Sequence, residues 1–295
     1  MAERAIVPTL SPPGDRTSGV LSAPGVCHIN SSARGIWGAW SECWTCRRLI
    51  YVFFWRDVKV RYQQTILGAT WAILQPLLTM LVFTLIFGRI AKVSSEGIPY
   101  PVFVYCGLLP WQFFAQGLNR STASLVEHRY MLTKVYFPRM ILPCSAVLAG
   151  LPDFAASLLV LLSLMMFYGI MPSGRIVFLV PLLALTAVVS FACGMTLSAL
   201  NVRYRDVGYA LPFFIQLLLF LTPITYPSSL VPQQWRPLFE LNPLAYIVEG
   251  FRGALAGTAA PSFAHSLESL SVVVILLLVG ILCFHHVART LADVI

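Results

Sequence analysis

A chain of 295 residues that is 58% hydrophobic and 11% charged, with mean hydropathy +0.77, carries too little polar surface to clothe a water-soluble globule. The composition excludes an ordinary soluble domain and places the chain in a bilayer. A net charge of +8 suits either nucleic acid or membrane topology, and only the placement of the basic residues separates the two.

Residues 1–35 are Pro-, Ser- and Gly-containing and charged, without an apolar block, which predicts a flexible cytoplasmic tail and not a cleaved leader. Residues 36–68 approach the first span. There Tyr51, Phe54, Trp55, Val58 and Tyr62 share one helical stripe, with Arg56, Lys59 and Gln63 opposite, although Phe53 and Val60 blur it. The pattern is that of an amphipathic interface helix in the headgroup plane, with a plain extension of the first span as the alternative.

Six segments, 69–91, 101–118, 141–168, 176–200, 207–226 and 270–288, reach the ~20 apolar helical residues that a hydrocarbon core requires. Pro110 interrupts the second, and Pro212 and Pro223 the fifth; proline is tolerated where neighbours or water satisfy the freed carbonyls. The expected fold is therefore an all-α integral membrane protein with six transmembrane helices over 69–295. Of the 20 Lys and Arg residues, 15 fall in the segment up to 68, the loops 119–140 and 201–206, and the C-terminus. That bias puts both termini in the cytoplasm and makes the basic excess a topology signal, with no nucleic-acid partner.

Between spans five and six lies the external segment 227–257. Pro232 and Pro243 each stand where proline favours a first helical turn, opening helices of about ten residues, too short to span. Two short re-entrant helices are expected, with an amphipathic surface segment as the alternative. Seven scattered cysteines form no disulfide framework, and the Cys43/Cys46 CxxC lacks a second pair, so they read as incidental.

Several blocks, taken together and in order, carry a resemblance. They are RDVKVRYQQTILGATWAILQPL (56–77), FPRMILP (137–143), NVRYRD (201–206), TPITYP (222–227) and WRPLFELNPLAYIVEGFR (235–252). They resemble the permease subunit of type-2 ABC exporters, in the branch that exports O-antigen, capsule or teichoic-acid polymers, over residues 45–290. The resemblance implies a homodimer of two such chains enclosing a channel, two separate ABC ATPase subunits, a lipid-linked polysaccharide substrate, and the cytoplasmic (inner) membrane of a bacterium. ATP and Mg would sit on the partner subunit. Consistent with that division, no GxxxxGK[ST] loop occurs: the nearest run, Gly169 to Arg175, has Arg for Lys, and no cofactor is expected on this chain.

By the same resemblance, loop 119–140 holds an ATPase-coupling helix, with Glu127, His128, Arg129 and Tyr130 near its centre and Lys134, Phe137, Pro138 and Arg139 where the chain re-enters the membrane. The alternative is that these basic residues only follow the inside-positive bias and touch lipid phosphate. A channel for sugars calls for aromatic faces. Trp71, Phe83, Phe87, Phe213, Phe214, Phe220 and Tyr226 are candidates, with core or lipid-facing positions as the alternative. Trp235 and Tyr246 would form an exit gate or an interfacial belt.

Asp153 is the one carboxylate well inside a predicted span, and an intramembrane charge implies a partner, water or substrate. Gly150-Leu151-Pro152 before it predicts a helix break that Asp153 caps, with substrate contact as the alternative. Two other classes are weighed. An intramembrane transferase acting on lipid-linked sugars needs clustered acids, bases or a metal site. Here Glu240, Glu249 and Glu268 are dispersed, and His285 and His286 point apart on a helix, so no catalytic or metal residue is assigned. An ion-coupled transporter of an amphiphile would be expected to contain inverted repeats, which are not visible.

Overall fold

The computed structural model describes residues 46–63, 68–134, 137–258 and 262–294; the expected tail, 1–35, lies outside them. Helix α1 (Arg47–Gln63) precedes α2 (Gly68–Phe83), which runs on as a π-helical stretch, Thr84–Ile90. Then come α3 (Tyr100–Glu127), the short α4 (Arg129–Lys134), α5 (Ile141–Leu148), α6 (Leu151–Phe167), α7 (Leu179–Arg203) and α8 (Asp206–Leu221). A five-residue α9 (Arg236–Glu240), α10 (Pro243–Ala256) and α11 (Phe263–Val294) complete the order, and no strand occurs among the described residues.

Everything is arranged round α3. Its residues Val102 to Leu109 are buried on every face, the signature of a helix enclosed by others. It touches α2, α5, α6, α7, α8 and α10. Its main partner is α7, and small residues let the two approach: a Cβ added to Gly194 would overlap the Ser121 side chain. In turn α11 lies on α7 at Gly280, where a Cβ would come within 2.7 Å of the Ala192 carbonyl oxygen.

Four helical stretches are long and apolar enough to cross a membrane: Thr70–Ile90, Ile141–Phe167, Gly174–Arg203 and His265–His286. These coincide with the expected first, third, fourth and sixth spans. The other two differ. Helix α8 is apolar but only 16 residues long. Helix α3, about 42 Å long at 1.5 Å per residue, has the length, but Gln112, Gln116, Asn119 and Arg120 dilute its hydropathy. It also continues to Glu127, so the front half of the expected loop 119–140 is rigid helix. The third span is broken at Ala149–Gly150, as the Gly-Leu-Pro sequence predicts, with Pro152 in the first turn of α6.

The segment 227–257 departs from two equal helices. Pro232 leads only into the 3₁₀ turn Gln233–Trp235, because Pro237 cannot continue it and instead opens the short α9. Pro243 does open a proper helix of 14 residues. The Asn242 side chain accepts the Leu244 N–H, and Gly257, at φ 74°, ends it. Leu244, Ile247, Val248, Phe251 and Leu255 bury α10 in the protein core.

Helix α1 has two apolar faces. Tyr51 and Trp55 of the expected stripe are exposed, at 62% and 50%, whereas Phe53 and Val58 are buried. Phe53, which blurs the stripe in sequence, is the residue that packs on Phe137, with ring centroids 5.7 Å apart. Cys46 is disulfide-bonded, which corrects the reading of all seven cysteines as incidental; Cys106, Cys193 and Cys283 are free thiols.

Candidate functional site

The first turn of α6 places Asp153 in the protein interior, facing α1 and α3. Its carboxylate accepts hydrogen bonds from the Arg61 guanidinium and the Tyr62 hydroxyl of α1. A third donor is Arg120 of α3, at 3.1 Å, which also donates to Gln116 at 2.5 Å. A buried carboxylate is tolerable only with such partners. The expected capping role is corrected: Gly150 is the N-cap of α6 and receives no side-chain hydrogen bond, because Asp153 is drawn to the two guanidiniums instead. Burial, then the hydrogen bond and charge of Asp153, push the Tyr62 hydroxyl up to about 12, so it stays a donor.

About one and a half turns earlier on α1, Arg56 pairs with Asp57 at 2.7 Å and donates to His128 Nε2 at 2.6 Å. His128 Nδ1 in turn reaches the Ser124 carbonyl at 2.8 Å, which assigns the neutral Nδ1–H tautomer. A cavity of about 470 Å³ lies between these groups, lined by Arg56, Arg61, Arg120, Glu127 and His128; Asp153 is not on its wall.

The expected coupling residues therefore divide. Glu127, Arg129, Tyr130 and Lys134 form an exposed face, with Arg129 5.0 Å over the Tyr130 ring. His128 and Arg139 are half-buried. Phe137 and Met140 anchor the segment in a small apolar core with Phe53, Leu125, Ile141, Leu142 and Phe284. This segment thus shows charge outward on an apolar footing.

The aromatic candidates are not brought into one lining. Trp71, Phe213, Phe214 and Phe220 are 52–61% exposed on α2 and α8. Phe83 and Phe87 are half-buried and meet edge to face at 5.9 Å, and Tyr226 is half-buried with its hydroxyl on the Phe220 carbonyl. Trp235 is exposed, while Tyr246 contacts the His265 ring at 5.6 Å.

Sequence reasoning missed Arg252, which enters there only as the last residue of the 235–252 block. It is 3% exposed on α10, donates to the Phe103 and Ile224 carbonyls at 3.3 and 2.6 Å, and lies 3.7 Å over the Phe103 ring. It fastens α3 and α10 to the TPITYP segment, which Tyr100 also holds through the Thr225 carbonyl at 2.6 Å. An arginine amid the apolar residues of a Pro-initiated helix was the available signal. The NVRYRD block has a similar explanation. Asn201 donates to the Thr122 carbonyl and accepts the Gly208 N–H, which fixes the α7–α8 turn on α3.

Among the described residues no group of three or more His, Cys, Asp or Glu side chains comes together. The arrangement offers rigid charge pairing at one end of the bundle and exposed aromatic faces along two helices.

The ABC-2 type transporter family model matches residues 48–256, which includes both the Asp153 and the Arg252 clusters. The O-antigen export system permease protein RfbA of Klebsiella pneumoniae is 30% identical over 249 residues, 84% of this chain and 95% of that protein. RfbA of Myxococcus xanthus is 31% identical over 240 residues, 80% and 91% of the two chains. The polysialic acid transport protein KpsM of Escherichia coli is 26% identical over 207 residues, 70% and 80%.

Proposed function

Because the chain belongs to the ABC-2 type transporter family, we propose that it is the membrane-spanning subunit of an ATP-driven exporter of lipid-linked polysaccharide in a bacterial inner membrane. Relatives named for O-antigen and polysialic acid transport, matched over most of their length, support the cargo class. In this reading α3 and α8 join the four long apolar helices to give six crossings, with both termini cytoplasmic and 227–257 dipping into the outer leaflet. Two copies enclose the channel, and two ATPase subunits dock from the cytoplasm.

The observation that carries the reading is the form of segment 127–140. Glu127, Arg129, Tyr130 and Lys134 are displayed outward, while Phe137 and Met140 root the segment in the core and His128 ties it to Arg56 of α1. A charged face on a stiff footing can receive a push and pass it on. Its charge also gives a direct test. Replacing Arg129 and Lys134 together by Ala is expected to lower ATP-dependent export and ATPase co-purification at least about tenfold, within the usual range of coupling between sites, while membrane insertion is unchanged. Normal export by that variant, or a purified chain that never binds an ATPase subunit, would remove the proposal.

Proton coupling through Asp153 finds less support. The carboxylate is engaged by three donors and does not face the cavity.

A further inference from the structure

A second cavity, of about 630 Å³, lies between the start of α7 and the helices α10 and α11. Its size is that of a ligand site, ~300–1,000 Å³. The walls are apolar, formed by Phe178, Pro181, Leu182, Leu185, Ala254 and Leu270. Gly250 and Gly253 give α10 a face without side chains there. At Gly250 the two helices are nearly in contact, since a Cβ would fall 2.9 Å from a Leu182 methyl. The groove is thus built by close approach on one side and missing side chains on the other.

Only two polar side chains line it among the described residues, Arg175 and Tyr246. Arg175 is set by local structure. It lies in the 3₁₀ turn Gly174–Phe178, whose N-cap Ser173 accepts the Arg175 N–H. The Ser173 N–H donates to the Leu255 carbonyl at 3.0 Å, which ties the turn to the end of α10. Arg175 is exposed, and no described carboxylate forms a salt bridge with it. The mouth therefore has one uncompensated cation and a phenol, and the interior has only hydrocarbon.

We propose that this groove holds an acyl chain of an anionic phospholipid from the surrounding bilayer, with Arg175 and Tyr246 on its phosphate. Apolar walls at the end of a bilayer helix are filled by lipid chain, and a guanidinium at that level reaches headgroup phosphate. A carrier bearing a polymer would bring many sugar hydroxyls, for which the two polar groups provide no matching set. The groove needs only that α7 and α11 lie in the bilayer, so the proposal stands or falls apart from the export reading.

The test uses the full chain in phosphatidylcholine vesicles containing a trace of phosphatidylglycerol with a photoreactive acyl chain; a matching phosphatidylcholine probe serves as the reference. The phosphatidylglycerol label is expected on residues 178–185 and 250–254. Arg175→Gln should lower that labelling about fivefold, roughly what one basic residue gains from an anionic headgroup, and leave the phosphatidylcholine probe unaffected, with Arg175→Lys restoring it. Leu185→Trp, at the half-buried rim, should reduce labelling by filling the groove. Equal labelling by the two probes, label confined to other segments, cross-linking of the groove to a second copy of the chain, or a co-purified polyprenyl lipid in place of phospholipid would each overturn the proposal.

Discussion

Asp153 shows how far a single residue can be read from sequence. Its cost in a span is legible, since a lone carboxylate among apolar residues demands a partner. Its partners are not, because Arg61 and Arg120 lie 92 and 33 residues away, and nothing local links them. The same holds for Arg252, whose acceptor on Phe103 is 149 residues distant. Removing the Asp153 charge leaves two half-buried guanidiniums facing each other. Asp153→Asn is therefore expected to destabilise the purified protein by about 2–4 kcal/mol, near the cost of breaking a buried ion pair, read as a lowered thermal midpoint. Arg61→Gln alone should cost less, since Arg120 and Tyr62 still engage the carboxylate. An Asp153→Asn variant as stable as the wild type would show the cluster to be dispensable.

At the scale of elements, periodicity and punctuation locate most helices. The Gly-Leu-Pro break before Asp153, the Asn-Pro start of α10 and the four long apolar stretches are all local, and each is present in the fold. What periodicity cannot assign is which face of a helix meets protein and which meets its surroundings. On α1 the buried residues are Phe53 and Val58, not the Tyr51–Trp55 edge. The end of α3 was obscured for a related reason: polar residues that read as a loop are tolerated on the packed face of a helix, where Ser121, Thr122 and Ser124 bond back to its own carbonyls or lie against α7. The α3–α7 contact itself depends on small side chains. Gly194→Ala should destabilise by about 1–3 kcal/mol through overpacking, and Ser121→Gly in the same chain should recover most of it, measured by thermal unfolding in detergent. Failure of the second substitution to rescue would mean that the strain is not at this contact.

For the whole molecule, the distribution of apolar surface is informative. In the first long apolar stretch, Thr70–Ile90, only 6% of the most apolar residues are buried, whereas in the third, Gly174–Arg203, 33% are. The aromatic residues of α2 and α8 that sequence singles out for sugar contact lie on such open faces, so one chain by itself provides no closed lining. If two copies enclose the channel as proposed, Phe213→Cys and Trp71→Cys variants should give disulfide-linked dimers on mild oxidation in membranes, whereas Phe167→Cys, still more open at 82% exposure but on α6, should not. Equal cross-linking at all three positions would argue against a defined seam. Such a seam would not be legible in sequence, because lipid and a second subunit favour the same apolar side chains.

The two polar fastenings of α1 have a mechanical consequence. Arg56 is tied to His128 and Arg61 to Asp153, at points about 7.5 Å apart along the helix axis. A rod pinned once can swivel; pinned twice, to α3 and α6, it loses that freedom. Displacement of segment 127–140 would then shift α1, α3 and α6 together as a plate, and the exposed Tyr51–Trp55 edge of α1 would move in a stroke in place of a bend.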